Sequence, residues 1–269
     1  MIEDSQIEDL IKMIFEKYNY DFRDYAMSSI RRRLNSALIR FGIKDIADLK
    51  AKTEKDLDFF LALLQYLTVP TSEMFRDPHY FLTFRERVVP ILRTFPSIRF
   101  WVAGCSTGEE LYSYAILFQE EGLLDRTTFY ATDINPVSLK KAEQGIFSLE
   151  RLKEYSLNYQ KSGGKSSLSD YFSIAYESAL VDKFLRKNTV FADHSLATDS
   201  VFGEMQAVSC RNVMIYFNKE LQDRAIRLFY ESLCYGGFLG IGAKETLRFS
   251  KWDFKFNEFS KQDRIYQRG

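Results

Sequence analysis

Cysteine, glycine and proline are all scarce in this chain of 269 residues, which contains three cysteines, 13 glycines and five prolines. Cys105, Cys210 and Cys234 lie far apart with no C-x-x-C pair, which argues against a disulfide framework and against a zinc site, so we expect no bound metal. The few glycines and prolines favour well-filled helices and strands over long disordered tracts. A chain of this length can bury a substantial core without covalent cross-links.

The chain also lacks a net charge, because 37 basic side chains balance 37 acidic ones. Without an overall positive field, nucleic acid is not an expected partner, and electrostatic recognition must come from a local patch. No apolar run is long enough to cross a bilayer, and the acidic, amphipathic start MIEDSQIEDLIK is unlike a signal peptide. We therefore expect a cytoplasmic protein that does not insert into membranes.

The pattern of the sequence changes along the chain. Apolar residues recur at helical spacing in the first third, and no strand-like alternation appears before about Arg99. From there, strand-like runs alternate with amphipathic helices, as in RFWVAGC, GEELYSYAILFQEEG and TTFYATDI. This order predicts an α/β fold with parallel strands, preceded by a small all-α domain. We place the domains at residues 1–72 and 73–269, with an inserted β-subdomain at about 160–187, where the regular rhythm breaks.

The segment AGCSTGEE, from Ala103 to Glu110, lies where the first strand passes into a helix. Its small residues allow a ligand to approach the backbone closely, and the free amides of a helix start attract anions. The dinucleotide fingerprint G-x-G-x-x-G is absent, since only Gly104 and Gly108 are present, and the adjacent acids would repel a phosphate. The segment suits a ligand with a cationic group, although a plain loop with acids at a helix start fits the pattern equally well.

Asp133 ends the second predicted strand. Ligands of open parallel sheets bind at the carboxyl ends of strands, and an acid there can accept hydrogen bonds from both hydroxyls of a ribose. An aspartate before a helix is also a common cap. Together with the segment AGCSTGEE, Asp133 indicates a ligand that carries adenosine.

The segment CRNVMIYF, residues 210–217, follows a later strand. Its polar pair Arg211 and Asn212 interrupts an apolar run, and burying an unpaired guanidinium is costly, so we expect the pair at the mouth of a ligand cleft. Tyr216 can present its hydroxyl to the same cleft, although a tyrosine packed in the core is the commoner case.

The segment TVPTSEMFRDPHYF, residues 68–81, joins the helical part of the chain to the α/β part. Its donors Thr71, Ser72 and Arg76 form a polar cluster. Taken alone, the segment predicts only a linker.

The segments VPTSEMFRD, AGCSTGEELYSYAI, FYATDI, CRNVMIYF and GGFLGIG occur in the order of the successive signatures of the CheR methyltransferases, the methyltransferases of chemotaxis receptors, so the chain resembles that family over about residues 5–267. The resemblance implies a small all-α domain and a Rossmann-like class I methyltransferase domain with a small inserted β-subdomain. It implies S-adenosylmethionine as cofactor and S-adenosylhomocysteine as product. It also implies methylation of glutamates on cytoplasmic helices of chemoreceptors or related signalling proteins, by a monomer.

The resemblance further implies how the cofactor is held. Glu109 is expected to face the charged amino-acid end of the cofactor, and Asp133 is expected to hold its ribose. Arg76 and Tyr216 are expected to be the catalytic residues, which position the substrate glutamate beside the transferable methyl group. The cofactor contacts that the family pattern implies are Ser72, Arg76, Gly104, Glu109, Asp133, His194, Ser195, Arg211 and Asn212.

The implied chemistry explains why no catalytic triad is visible. A glutamate, with an ordinary pKa of about 4.3, is ionised at neutral pH, so the reaction needs no general base. The carboxylate and sulfonium charges cancel during an in-line displacement. Alignment and exclusion of water then supply most of the acceleration.

Arg31, Arg32, Arg33 and Arg40 are expected to recognise the substrate. Positions 33 and 40 are seven apart and lie near one face of a predicted helix, while positions 31 and 32 flank that face. A basic face is complementary to acidic methylation helices. Without the resemblance, a solvated arginine-rich face is the default interpretation of such a run.

The sequence departs from the family pattern at several positions. Pro70 stands where the family often has Asn, His194 replaces an Asn that commonly touches adenine, and Gly242–Glu245 reads GAKE instead of the usual Gly-His-Ser-Glu. The predicted β-subdomain is short and lacks a Gly-rich insertion. In the family, that absence goes with members that do not dock on a receptor's C-terminal pentapeptide tether, so we expect tether-independent binding.

Two alternatives remain open at this stage. One is a catalytically inactive methyltransferase-fold module that binds a nucleotide or a partner protein in signalling; Pro70 and His194 leave room for it. The other is a nucleic-acid methyltransferase, since this fold hosts many acceptors. The zero net charge and the lack of an Asn/Asp-Pro-Pro-Tyr motif count against the second alternative.

Overall fold

The first four helices pack around one apolar core. The structure is a computed structural model that describes residues 2–68 and 70–269. Leu10, Leu34 and Leu63 are fully buried in this core, as the helical spacing of the apolar residues predicts. The four helices are α1 (Asp4–Tyr18), α2 (Met27–Phe41), α3 (Ile46–Lys55) and α4 (Leu57–Leu67).

The rest of the chain alternates helices and strands. After the linker, α5 (Pro78–Thr83), a π-helical turn (Phe84–Val88) and α6 (Val89–Leu92) follow one another without a break. The next elements are β1 (Ile98–Ala103), α7 (Glu109–Glu120), β2 (Thr127–Asp133), α8 (Pro136–Gln144), β3 (Ile146–Ser148), α9 (Leu149–Lys161), β4 (Phe172–Ala175), β5 (Ser178–Val181) and α10 (Lys183–Arg186). The last are β6 (Thr189–Asp193), β7 (Met205–Cys210), α11 (Lys219–Ser232), β8 (Leu233–Ile241), β9 (Phe256–Ser260) and β10 (Ile265–Arg268). None of the helices in the described part of the chain has the length and apolarity that a bilayer crossing requires.

Seven strands form the central sheet in the order β6-β2-β1-β7-β8-β10-β9. Neighbours from β6 to β8 pair in parallel, whereas β10 is antiparallel to both β8 and β9. Phe100, Trp101 and Val102 of β1 are all buried because helices cover both faces of the sheet. The predicted fold, a small all-α domain followed by a Rossmann-like class I methyltransferase domain, is confirmed.

A second, three-stranded sheet forms the inserted subdomain, in the order β3-β5-β4. It differs from the predicted segment 160–187, because its first strand, Ile146–Ser148, lies before α9. Gly145 ends α8 in the left-handed region, at φ 64°, and lets the chain turn directly into this strand. Three residues are too few for strand alternation to be visible in the sequence.

The all-α domain touches the α/β domain through a short antiparallel contact. The amide of Ala26 donates to the carbonyl of Tyr216 at 2.9 Å, and the amide of Asn218 donates to the carbonyl of Asp24 at 2.9 Å. These backbone bonds fix one end of α2 beside the segment that carries Tyr216.

Asn135 provides a second contact between the domains. Its side chain caps α8, accepting from the amide of Val137 at 3.0 Å, and Pro136 occupies the first position of the helix, as is typical of helix starts. The same amide group accepts from Gln65 and donates to Thr68, each at 2.7 Å. The end of α4 is therefore held against the strand end that carries Asp133.

Candidate active site

A cleft lies over the carboxyl ends of four neighbouring strands. Its walls include Gly104 after β1, Asp133 at the end of β2, His194 after β6 and Arg211 after β7. The strands β2 and β7 lie on opposite sides of β1, so the chain order reverses there and a crevice opens. The all-α domain and the linker supply the opposite wall.

Asp133 is held rigidly at this crevice. One carboxylate oxygen accepts from the amide of Ser106 at 2.8 Å and the other from the amide of Asn135 at 2.9 Å. Burial raises the pKa of Asp133, while these backbone hydrogen bonds act in the opposite direction. Each carboxylate oxygen keeps a lone pair that can accept from a ligand hydroxyl.

Gly104 forms the floor of the cleft in a conformation that only glycine suits. Its φ is 72°, and a Cβ added there would lie 2.5 Å from Cγ2 of Val213. The absent side chain lets a ligand approach the backbone between β1 and α7.

Of the two acids at the start of α7, Glu110 lines the cleft. Its carboxylate accepts from Oγ of Ser209 at 2.7 Å and from Nη1 of Arg211 at 3.0 Å. Glu109 is 1% exposed and turns elsewhere, accepting from Oγ1 of Thr107 at 2.6 Å and pairing with Arg151 at 3.4 Å. The structure thus differs from the expectation for Glu109, because successive helical residues point about 100° apart.

Arg211 lies beside the cleft, but its guanidinium is committed to the protein. It donates to Asp77 at 2.8 Å, to the carbonyl of Arg76 at 2.9 Å and to Glu110 at 3.0 Å, and it stacks on the ring of Tyr80. Burial alone would lower the pKa of Arg211, but the nearby carboxylates raise it above its ordinary value. Arg211 therefore fastens the linker to α7 from the cleft wall, and its expected contact with the cofactor stays a prediction.

Asn212 and Tyr216 both line the cleft, from the segment that follows β7. Asn212 adopts the left-handed region at φ 61°. A turn of 3-10 helix, Met214–Tyr216, then carries Tyr216 back towards the all-α domain. Left-handed non-glycine residues concentrate at functional sites, where the surroundings hold them in place.

His194 is 9% exposed and lines the cleft beside Asp133. Its Nε2 lies 3.2 Å from the carbonyl oxygen of Ser200, which can only accept, so Nε2 is the donor of this hydrogen bond. Ser195, the other expected contact in this segment, is not on the cleft wall. Its amide donates to Asp199 at 2.8 Å and so shapes the loop after β6.

The linker brings Ser72 and Arg76 to the cleft wall. The carbonyl of Ser72 accepts from Nη2 of Arg151 on α9 at 2.7 Å, so the inserted subdomain helps to hold the linker. Phe75 and Asp77, on either side of Arg76, both have left-handed backbones, at φ 51° and 55°. This enforced bend aims Arg76 at the cleft.

Arg33 is the residue whose placement differs most from expectation. It is 4% exposed and lines the cleft, so it does not belong to a solvated face. Its guanidinium donates to the carbonyl of Leu67 and stacks on Tyr216, with Cζ 4.1 Å from the ring centre. Among the described residues nothing accepts from its Nε and Nη2, and burial lowers its pKa.

The other three arginines of α2 lie outside the cleft. Arg32 and Arg40 are exposed, and Arg31 is partly buried in an ion pair with Asp4. Arg33 therefore does not share an exposed face with the other three arginines, because it points inward from the same helix. The expected role of the four arginines in substrate recognition stays a prediction.

Several residues on or behind the cleft wall are not among those that the sequence predicts. Glu110 lines the cleft, whereas the resemblance implies its neighbour Glu109, and either acid fits the pattern at a helix start. Glu245 is 5% exposed and accepts from the amide of Asn212 at 3.0 Å. The sequence signal for it is that the segment GAKE keeps the glutamate of the usual Gly-His-Ser-Glu, although the two residues before it differ. Tyr25 lines the cleft from the all-α domain, and nothing in its local sequence pointed there.

Two family models together match most of the chain. The model "CheR methyltransferase, all-alpha domain" matches residues 5–68, and "CheR methyltransferase, SAM binding domain" matches residues 70–262. The boundary between the two matches falls at the linker that enters the cleft.

Curated relatives agree with these matches. A Pseudomonas putida protein named Cher3 is 55% identical over 265 residues, which cover 98% of this chain and 97% of that protein. "Chemotaxis protein methyltransferase 2" of Vibrio cholerae is 32% identical, over 77% of this chain and 72% of its own length. "Chemotaxis protein methyltransferase" of Listeria monocytogenes is 29% identical, over 84% of each chain. The chain therefore belongs to the CheR methyltransferase family, and its cofactor is S-adenosylmethionine.

Proposed function

We propose that this chain transfers the methyl group of S-adenosylmethionine to glutamate side chains on cytoplasmic methylation helices of chemoreceptors or related signalling proteins. The observation that carries this proposal is the buried guanidinium of Arg33, which reaches the cleft with two nitrogens unpaired among the described residues. A buried cation without a counter-charge is costly, and a carboxylate that offers two oxygens is its natural ligand. The names of the Vibrio and Listeria relatives support a role in chemotaxis.

The cofactor would lie along the strand ends. Asp133 would accept from the ribose hydroxyls, and His194 would lie at the adenine end. Glu110, with Ser72 and Asn212 nearby on the cleft wall, would face the cationic amino-acid end. Gly104 would leave room for the cofactor to pass over the backbone.

The substrate carboxylate would enter between Arg33 and Arg76, with Tyr216 beside it. The cofactor supplies an activated methyl group, which moves to a carboxylate oxygen and leaves S-adenosylhomocysteine. Arg33 and Arg76 would orient the carboxylate, and stacking on Tyr216 would hold the Arg33 guanidinium flat at its place. Because the glutamate is ionised at neutral pH, no residue has to remove a proton.

The outer face of α2 suits the substrate helix. Arg32 and Arg40 are exposed there, and Ile39 beside them is 84% exposed. Basic side chains around an apolar anchor are complementary to an amphipathic helix that carries acidic residues. We propose that this face receives the helix while Arg33, on the inner side of α2, receives the glutamate.

We also propose that a receptor tether is not required. In the family, docking on a C-terminal pentapeptide goes with a Gly-rich insertion in the β-subdomain. Here β4 and β5 are joined by only two residues, Tyr176 and Glu177, and the strands have four residues each. The short hairpin supports direct recognition of the methylation helix by the all-α domain.

The proposal is tested by determining which chemical group accepts the methyl group. The protein is incubated with methyl-labelled S-adenosylmethionine and a cytoplasmic chemoreceptor fragment, and the label is followed through alkaline treatment. Methyl esters release the label as methanol in alkali, whereas methylated amines and nucleobases keep it. Alkali-labile label supports the proposal. Alkali-stable label, or none with a protein that binds S-adenosylhomocysteine, contradicts it.

A further inference from the structure

The carboxylate of Glu245 gathers several backbone amides of the cleft wall. It accepts from the amides of Gly242 at 2.6 Å, Asn212 at 3.0 Å and Ile215 at 3.2 Å. Glu245 is 5% exposed, and it meets these donors from a turn after β8. These contacts are made to the backbone and not to the side chains expected to position the substrate. Glu245 therefore acts on the conformation of the cleft wall and not on the substrate.

The segment after β7 needs an acceptor of this kind. Asn212 is in the left-handed region, and the short turn of 3-10 helix at Met214–Tyr216 follows it at once. The first amides of such a turn have no acceptor within the turn itself. A buried amide without a partner is costly, so the carboxylate of Glu245 selects the conformation in which these amides converge.

Gly242 is fitted to the same arrangement. A Cβ at this position would lie 2.7 Å from Nδ2 of Asn212 and 2.8 Å from Oε2 of Glu245. The two residues between them, Ala243 and Lys244, are exposed. In the segment GAKE, the outer residues meet the cleft wall and the inner two face solvent.

We propose that Glu245 is a positioning residue, which holds residues 212–216 in the conformation that presents Asn212 and Tyr216 to the cleft. The inference rests on the proposed function for the roles of those two side chains. It also gives a reason why Gly242 and Glu245 are present while the inner pair departs from the family pattern.

The test compares Glu245→Gln with the wild type in two measurements. Glutamine keeps the size of the side chain but has only one acceptor oxygen, whereas the carboxylate uses one oxygen for Gly242 and Asn212 and the other for Ile215. At least one of these amides therefore faces an NH2 group in the variant. Hydrogen exchange, read by mass spectrometry, should accelerate at least about tenfold in residues 211–217, because each 1.4 kcal/mol of lost protection is a factor of ten. Exchange in β1 should stay as in the wild type. Affinity for S-adenosylhomocysteine should fall by about the same factor.

Lys244→Ala is the matched control, because it removes the charge of the exposed neighbour and should leave both measurements unchanged. Glu245→Asp retains the charge with a shorter reach, and it serves if Glu245→Gln does not fold; local exchange should rise in it as well. Unchanged exchange in residues 211–217, or a uniform rise across the sheet, would overturn the inference. If the wild type binds no S-adenosylhomocysteine, the proposed function fails, and the local exchange still decides the role of Glu245.

Discussion

The guanidinium carbon of Arg33 lies 4.1 Å from the centre of the Tyr216 ring, so side chains from the two domains stack directly within the cleft. The backbone bond from Ala26 to Tyr216 fixes the same two segments together. Helix α2 therefore has two functions in the proposal. Its inner side closes the cleft with Arg33, and its outer side presents Arg32 and Arg40 to a partner.

Replacing Arg33 with Met should separate substrate turnover from cofactor binding. The charge-assisted hydrogen bonds to the substrate carboxylate would be lost, and such bonds contribute about 1.5–3 kcal/mol, so kcat/KM should fall about 10- to 100-fold. Affinity for S-adenosylhomocysteine, measured by calorimetry, should change little, because Asp133 and Glu110 are untouched.

Arg23→Met controls for the loss of one arginine from the all-α domain. Arg23 is exposed, pairs with Asp21 and does not line the cleft, so this variant should retain most of its turnover of a receptor fragment. An equal loss of kcat/KM in the two variants would show that turnover depends on the overall positive charge and not on the buried position of Arg33.

Affinity for S-adenosylhomocysteine should depend on pH through Asp133. Burial raises the pKa of Asp133, so the carboxylate takes up its proton at a higher pH than the ordinary 3.8. Ribose hydroxyls donate to the charged form, and binding should therefore weaken as pH falls through that raised pKa. Calorimetric titrations over a descending pH series would measure the effect.

Asp133→Asn is the control for this pH dependence. The variant should bind S-adenosylhomocysteine more weakly at neutral pH, and it should show a flatter pH profile than the wild type. If both proteins lose affinity for S-adenosylhomocysteine over the same acidic pH range, a group other than Asp133 causes the pH dependence.

Replacing Arg211 with Met should destabilise the fold. Its partner Glu110 is largely buried and would be left without its cation, and a buried charge left in this way costs up to about 3–5 kcal/mol. Asp77 is 42% exposed, so water compensates most of its loss. Urea denaturation followed by circular dichroism would give the change in the free energy of unfolding.

Arg227→Met provides the comparison for Arg211. Arg227 pairs with Glu231 one helical turn away, and both side chains are largely solvated. An exposed pair of this spacing contributes only about 0.3–0.5 kcal/mol, so the two variants should differ clearly. Similar losses would mean that Arg211 does not hold the linker as the contacts indicate.

A pentapeptide from a receptor C-terminus should not bind this chain measurably. The two-residue turn at Tyr176 and Glu177 leaves the β-subdomain without the insertion that accompanies tether docking in the family. Calorimetry with the free peptide, and methylation assays on receptor fragments with and without the tail, measure this directly. Tight binding of the peptide to residues 160–187, or turnover that depends on the tail, would refute tether independence.

Much of the fold could be predicted from local patterns. The alternation of strands and helices after Arg99 predicts the parallel sheet, and the rule for strand ends predicts the edge where Asp133 meets Gly104. The Asn-Pro pair also predicts the cap at Asn135, because capping depends on neighbouring residues only. The strand Ile146–Ser148 could not be predicted, since its existence depends on pairing with β5, which lies far along the chain at Ser178–Val181.

The side chains of the site were less predictable, for a physical reason. Glu109 and Glu110 differ only in the rotation of α7, and packing of that helix on the sheet decides which one faces the cleft. The inward direction of Arg33 depends on the docking of α2 against Tyr216. Both orientations are set by tertiary contacts, and the periodicity of residues within one helix carries no information about such contacts.

The most direct test of the central claim is to locate the transferred methyl group. A cytoplasmic chemoreceptor fragment is incubated with S-adenosylmethionine and either the wild type or Arg33→Met, and peptide mass spectrometry identifies the modified side chain. The proposed function predicts a methyl ester on glutamate with the wild type and little or none with the variant. A methyl group on any other side chain, or equal glutamate methylation by both proteins, would contradict the account.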